Sequence, residues 1–372
     1  MAFGQIVEKI KSNIFKIPKG VSGGFDKGCV GLNIGNQSIK IAELRIGGKK
    51  WKLLHFGKAF IPRDTINSRE ISNALALVES IRALTAQLKL NSKKVALSIS
   101  GNSVITKKMT IEISKRANAK EIEEQAFWEA EQYLPFDIAE VYLDSYTLSK
   151  AKDGTVDVML VAAKKNLIDT YVACISDAGL VPEIVDIDYF ALQNIFEINY
   201  PERFSDANMI VDIGASSLKI VVLQNGIPLY TKESALGGDK VTSEIQNQLG
   251  LSFEDAETLK ISQTGAEVPQ EISDLLTVSA ENFAIEIKRG LDFYNASSTG
   301  ASPSKIYLTG GASLMANTKE MVQDICKIEV EKLNPFNLIE YDKGTFTEDY
   351  INQIAPFSAL ALGLAIRAGN GK

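Results

Sequence analysis

Between Val30 and Pro62 apolar and polar residues alternate, in VGLNIGNQSIKIAEL and then in WKLLHFGKAFIP after a turn at Gly47-Gly48. Side chains two apart share one face of a strand, so this stretch predicts antiparallel strands. The period then lengthens. In SREISNALALVESIRALTAQLK (68–89), Ile71, Leu75, Val78, Ile81, Leu84 and Leu88 recur three or four apart, the spacing of one helix face. VALSISGNSVITKKMTI (95–111) returns to strand. Asn118 with Glu121 three places on reads as a capping box that starts a helix running to Tyr133, and Pro135 stops it. Two more strands, near 141–149 and 156–163, close what reads as an inserted unit.

The second half repeats the plan. IVDIGASSLKIVVL, a turn at Asn225-Gly226 and IPLYTKESA give strand, turn, strand. Helical patterns fill about 240 to 294, KIYLTGG (305–311) is a strand, and another helix follows. The chain is therefore α/β with a duplicated core. LNIGNQSIKIAEL (32–44) laid over VDIGASSLKIVVL (211–223) agrees at six of thirteen places. An internal repeat of this kind organises a whole fold. The copies differ at one telling place, where the first has Asn33 and the second Asp212.

Composition narrows the class without naming it. The 372 residues, 45% hydrophobic and 23% charged, are enough for two or three cores at about 100–200 residues per domain. A net charge of −6 provides no basic field, so nucleic acid is not an expected partner. Cys29, Cys174 and Cys326 are odd in number and lack a CxxC spacing, which reads as reduced thiols. The single histidine, His55, has no companions for a zinc site or a triad and reads as structural. No uninterrupted apolar run reaches the length of about 18 residues a spanning helix needs. At the N-terminus Phe3, Ile6, Val7, Ile10 and Ile14 fall at helical spacing among Lys9, Lys11, Lys16 and Lys19. That segment reads as a short amphipathic helix for its own domain, a partner or a membrane surface. Gly20 to Gly28 reads as a joint.

Each copy of the repeat joins two strands through Gly and small polar residues. Such a turn presents backbone N–H groups and hydroxyls to phosphate oxygens, and an aspartate before it can hold Mg²⁺ through water. Either hairpin alone is explained as plain structure. Two in matching context point to a polyphosphate held from both sides.

At this point the chain resembles the actin/Hsp70/sugar-kinase ATPase superfamily, with further elements in that family's order. EIVDIDYFALQN (183–194) resembles the first connecting helix, whose acidic residue faces the γ-phosphate; Asp188 is the nearest match and Asp186 the alternative. ALGGDKVT (235–242) resembles the Gly-Gly-acidic turn beneath the phosphates, and AETLK (256–260) carries Glu257 and Lys260 in the E-x-x-K spacing that flanks the ribose in relatives. The plainer reading of that pair is a solvated i,i+3 contact. LTGGAS (308–313) resembles the adenosine loop, and APFSALALGLAIRA (355–368) the final connecting helix. The resemblance implies ATP and Mg²⁺ as ligands. It assigns nucleotide contacts to Gly35, Asn36, Gln37, Ser38 and Lys40 in the first hairpin and to Asp212, Gly214, Ala215, Ser216, Ser217 and Lys219 in the second. Gly237, Gly238, Glu257, Lys260, Gly310, Gly311 and Ala312 complete the set, with Asn33 and Asp212 at Mg²⁺ through water and Asp188 as the catalytic candidate.

Within the superfamily, the short insert resembles that of the FtsA and PilM families. EEQAFWEAEQYLPFDIAEVYLDSYTL (123–148), DIDYFALQNIFE (186–197), IKRGLDFYNASS (287–298) and ALALGLAIRA (359–368) resemble the PilM family closely. The resemblance implies an actin-like ATPase fold with a duplicated two-lobed core and an FtsA-type inserted subdomain. Its divisions are 1–27 as N-terminal segment and joint, 28–92 with 164–206 as subdomain 1A, and 93–163 as the inserted 1C. Subdomain 2A is 207–239 with 301–372, and 2B is 240–300. It further implies a cytoplasmic subunit of a type IV pilus assembly complex, peripheral to the inner membrane, that docks onto the cytoplasmic N-terminus of a PilN-like protein. Other pilus assembly proteins, including the motor ATPase, and a homo-oligomeric ring belong to the same expectation. Relatives carry Asp at the Asn33 position and a small residue at Gln37, so weak or absent ATPase activity is expected. The competing expectations are an active ATPase or sugar kinase, and an FtsA-like filament former.

Overall fold

Cys29 to Ile34 is buried at every position and Ser38 to Leu44 at every position but Lys40, so these two strands are covered on both faces; the alternation shows as one inward face only in the strand after them, Lys50–Phe60. The computed structural model describes residues 29–369 except 49, 68, 102, 115, 152, 262–269 and 299; the amphipathic segment expected over 1–27 lies outside the described residues. The chain divides into two compact units, residues 1–194 with 360–372 and residues 195–359.

In the first unit β1 (Cys29–Ile34), β2 (Ser38–Gly47) and β3 (Lys50–Phe60) form an antiparallel meander. A two-rung hairpin, β4 (Ile66–Asn67) and β5 (Glu70–Ile71), precedes α1 (Ala74–Leu88). That corrects the single helix expected over 68–89. Asn73 caps α1, its side chain accepting from Ala76 N, so the helix cannot begin earlier without losing the cap. The buried face is Leu77, Val78, Ile81 and Leu84, while Leu75 is 67% exposed. Each such buried side chain contributes about 1.5–3 kcal/mol, which decides the helix's rotation.

β6 (Lys94–Ile99) lies parallel to β1, and β7 (Val104–Glu112) belongs to a different sheet. The run 95–111 is thus two strands, parted at Gly101 by a positive φ of 93°. α2 (Ala119–Ala130) begins with the expected Asn118–Glu121 capping box. It ends three residues short of Tyr133. With β8 (Val141–Lys150) and β9 (Thr155–Lys164) the insert forms an antiparallel sheet, β7-β9-β8, over its own core of Met109, Ile111, Ile122, Ala126, Val158 and Leu160. The chain returns through α3 (Lys165–Asp177) to β10 (Val181–Ile187), which lies parallel to β6. α4 (Asp188–Asn199) starts only after that strand, so EIVDI is strand and not the connecting helix expected from 183.

The second unit holds β11 (Asn208–Ile213), β12 (Leu218–Gln224), β13 (Ile227–Ser234), α5 (Gly238–Leu249), α6 (Phe253–Ile261) and α7 (Gln270–Ser297). β14 (Lys305–Thr309), α8 (Thr318–Cys326) and β15 (Glu329–Lys332) follow, and α9 (Glu348–Gly369) carries the chain back to the first unit. Strand order is β10-β6-β1-β2-β3 in one unit and β15-β14-β11-β12-β13 in the other. The duplication extends to register. Cys29 faces Leu44 and Asn208 faces Leu223, and every rung of the two hairpins matches at the same 179-residue offset. Even the bulge recurs, at Glu43/Leu44 against β3 and at Val222/Leu223 against β13.

α9 is long and apolar enough to cross a membrane by composition, a length the uninterrupted runs in the sequence do not show. Two-thirds of its apolar window is buried. A Cβ on Gly31 would lie 2.0 Å from Ala361 O, and one on Gly363 would lie 1.9 Å from Ala191 O. The helix therefore sits backbone to backbone on β1 and α4, as a core helix does. Cys29, Cys174 and Cys326 are buried free thiols, and burial pushes Cys29 and Cys326 up to about 11. His55 bonds through Nδ1 to Oε2 of the fully buried Glu43 at 2.7 Å, a structural partnership that also recruits Asn91.

Candidate functional site

In the second unit the turn between β11 and β12 closes through Gly214 N to Ser217 O, 2.9 Å. Asp212 and Lys219 face each other across the last rungs, with Nζ 3.3 Å from Oδ2 and both side chains buried. The Gly237-Gly238 turn at the start of α5 is tied onto this loop, Gly238 N donating to Gly214 O and Asp239 N to Ala215 O. Helix α6 is fastened to the same place. Lys260 Nζ donates to Gly238 O (3.1 Å), Thr242 Oγ1 (2.8 Å) and Glu257 Oε2 (2.6 Å), and Lys260 is buried. The pair Glu257–Lys260 is therefore an anchor for the first turn of α5 and not a solvated surface contact.

The loop after β14 completes this group. Gly310 has φ +89° and ψ 152°, a conformation open almost solely to glycine. A Cβ there would come within 2.3 Å of Ile213 O and 2.5 Å of Asp212 Oδ1. Its N–H and the Thr309 hydroxyl both donate to Pro356 O. Gly311 is exposed, with open space where a Cβ would stand. Residues 212–219, 237–238, 257–260 and 310–312, chosen from four separate stretches of sequence, are thus brought into one cluster.

The first unit carries the other hairpin. Gly35 N donates to Ser38 O at 3.0 Å, the counterpart of the Gly214 bond, and Gln37 O receives Ile61 N. Asn33 stands opposite Lys40 as Asp212 stands opposite Lys219, but offers no charge. A small pocket beside this hairpin is lined by Ile34, Arg69, Ser98, Ser100, Tyr171 and Asp188, among others. Ser98 Oγ donates to Asp188 Oδ1 at 2.5 Å, a short charge-assisted bond. Asp186 is elsewhere. It is fully buried on β10, accepts from Ile187 N, and lies 3.4 Å from Arg367 Nε. Burial pushes its carboxyl up to about 6, against the opposing pull of Arg367. Of the two acidic residues considered, only Asp188 reaches the pocket beside the hairpin.

Ser98, Ser100, Arg69 and Thr242 were not singled out from sequence. Ser98 and Ser100 sit at the carboxyl end of a parallel strand, where ligands of α/β sheets gather, and that rule applied to ALSIS would have found them.

The profile of the family described as type IV pilus assembly protein PilM matches residues 31–369. The chain belongs to the PilM family. A chain in a solved PilM–PilN type IV pilus biogenesis complex is 27% identical, with a TM-score of 0.82 over 91% of this chain and 98% of that one. Cell division protein FtsA of Enterococcus hirae is 22% identical over 354 residues, 82% of this chain and 78% of FtsA, and that of Bacillus subtilis (strain 168) is 21% identical over the same length. The ethanolamine utilization protein EutJ of Carboxydothermus hydrogenoformans shares the fold alone, at 14% identity and a TM-score of 0.56 over 98% of this chain and 97% of EutJ. The fold of this PilM-family chain is the actin-like ATPase fold, and its repeated hairpins are that fold's duplicated core.

The second unit's loops fit a nucleotide on their own chemistry. They have a glycine held where any side chain would strike Asp212, exposed backbone at Gly311, and a buried cation at Lys219. Among the described residues no cluster of three or more His, Cys, Asp or Glu side chains is placed to hold a metal. Mg²⁺ in such a place is bound by one or two carboxylates with water and substrate phosphates. In the second unit Asp212 is the carboxylate that would fit that role.

Proposed function

We propose that this PilM-family chain binds ATP and serves as a cytoplasmic, membrane-peripheral subunit of the type IV pilus assembly complex. It docks there onto the cytoplasmic N-terminus of a PilN-like inner-membrane protein. The observation that carries this reading is the match along nearly the whole chain to a member of a PilM–PilN complex. The insert, with its own sheet and core, is the element that receives the peptide; its strands have outer edges at β7 and β8 to which an extended segment can add.

Nucleotide is held by the backbone N–H groups and hydroxyls of both hairpins, by Lys40 and Lys219, and by the Gly310–Ala312 loop. A bound Mg²⁺ neutralises phosphate charge, with Asp212 as its carboxylate. Asn33 leaves the first hairpin without the matching anion, so the ion is held less firmly and hydrolysis is slow. Asp188, fixed by Ser98, is the group that orients a water. Binding, more than turnover, is the function. Neighbouring pilus proteins, including the motor ATPase, and a homo-oligomeric ring fit the same reading.

Calorimetry of the chain with Mg-ATP against its cognate PilN-like N-terminal peptide tests the proposal. Saturable binding, lost on substitutions in the insert that leave ATP binding intact, is the expected result. No binding at high micromolar peptide refutes it.

A further inference from the structure

Arg69, in the turn of the hairpin β4–β5, has a φ of +73°, a conformation that few residues other than glycine adopt. Strain of this kind persists only where the surroundings over-determine it, and it gathers at ligand sites. Two contacts hold it here. Tyr171 Oη donates to Arg69 O at 3.0 Å. Gly101 leaves room for the arginine stem, since a Cβ there would stand 3.1 Å from Arg69 Cγ. The side chain so placed lines the small pocket with Ile34, Ser98, Ser100 and Asp188, all of them in the first unit. Ser100 is 4% exposed, and its hydroxyl, on the same pocket wall, has no hydrogen-bond partner among the described residues. A buried hydroxyl without a partner is costly. The room beside it is about that of a water or of a single phosphate oxygen. Ile34 ends β1 directly before the turn at Gly35, so the pocket adjoins the first hairpin's turn.

We propose that Arg69 and Ser100 receive an oxygen of the terminal phosphate of a nucleoside triphosphate, so that the site prefers ATP to ADP. This rests on the reading that the hairpins hold a nucleotide. The terminal phosphate has more unesterified oxygens and more charge than the inner ones, so it has an oxygen to offer beyond those the turns take. Asp188 on the same wall does not exclude an anion. Its Oδ1 already accepts from Ser98 Oγ, and a guanidinium has donors enough to serve a carboxylate and a phosphate together. The Ser100 hydroxyl supplies a neutral donor on the other side of the same oxygen.

Titration calorimetry of the full chain, stripped of bound nucleotide, with Mg-ATP and separately with Mg-ADP tests this. Wild type should bind ATP about ten- to a hundredfold more tightly than ADP, the worth of one charge-assisted hydrogen bond. Arg69→Gln should close that gap by weakening ATP alone. Arg69→Lys should recover part of the preference, because it keeps the charge without the planar fork. Ser100→Ala should narrow the gap by less, and it should melt no lower than wild type, since removing an unpartnered buried hydroxyl strands nothing. That variant carries the test if Arg69→Gln does not fold. Equal affinity of wild type for the two nucleotides overturns the proposal while nucleotide binding itself stands. So does an Arg69→Gln chain that loses ATP and ADP affinity alike, which places Arg69 at an inner phosphate. An ATP-to-ADP ratio unchanged in both variants also overturns it, and leaves the pocket to a water. A wild-type chain that takes up neither nucleotide overturns the reading of the hairpins, and this proposal with it.

Discussion

The carboxylate of Asp212 is a charge that the second hairpin carries beside its turn and the first, with Asn33, does not, and removing it has consequences before any nucleotide is added. Its partner Lys219 is 3% exposed and lies 3.3 Å away. In Asp212→Ala that ammonium stays in the interior without its counter-charge, a defect of about 3–5 kcal/mol. In a unit of 195–359 each kcal/mol shifts the melting temperature by about 2–4 °C, so the nucleotide-free protein should melt roughly 6–20 °C lower. Asp212→Asn should cost less, because the first hairpin accommodates Asn33 opposite Lys40 in the same register. Asp212→Ala with Lys219→Met should recover most of the loss, since no charge is then stranded. Melting followed by circular dichroism, without and then with saturating Mg-ATP, reads all three. At about 100-fold over Kd wild type should gain about 2.7 kcal/mol, and Asp212→Ala clearly less. A loss below about 1 kcal/mol in the apo single variant would place the pair among weak surface contacts. So would strictly additive losses in the double variant, and either result refutes the reasoning.

Gly310→Ala should both destabilise the second unit by about 1–3 kcal/mol, through its glycine-only backbone, and abolish Mg-ATP binding in calorimetry, because its Cβ meets Ile213 O and Asp212. Wild-type single-turnover hydrolysis of radiolabelled ATP should be very slow, and Asn33→Asp should raise it; brisk wild-type turnover contradicts the reading of that residue. Asp186 sets a pH slope: its folded carboxyl lies at about 6 against 3.8 unfolded, so the folded state binds the extra proton between those values. Stability should therefore fall as pH rises from about 4 to 6, by up to about 2–3 kcal/mol, and denaturant titrations of Asp186→Asn should show that slope flattened.

Where local chemistry acted alone, the sequence was readable. The Asn118–Glu121 box places α2, and the 32–44 and 211–223 repeat anticipates two hairpins that match rung for rung. The errors came where tertiary contacts outweigh pattern. Leu75 fits the helical stripe, yet the Asn73 cap and the packing of Leu77 turn α1 so that Leu75 faces water. EIVDI looks helical beside DYFALQN, but it belongs to a strand paired with β6, where Ile184 to Ile187, Asp186 included, are all buried and burial follows no period. At the site, glycines and the repeated Lys were legible from type and spacing. Ser98, Arg69 and Thr242 were not, because each acts through a neighbour distant in sequence, at Asp188, in the pocket and at Lys260.

Whether this fold holds a nucleotide, as proposed, is decided by the nucleotide content of the purified chain. Protein denatured and resolved by ion-exchange chromatography should release close to one adenine nucleotide per chain, or take up one equivalent of Mg-ATP in a calorimetric titration. A chain that carries none, and takes up none at millimolar Mg-ATP, contradicts the account.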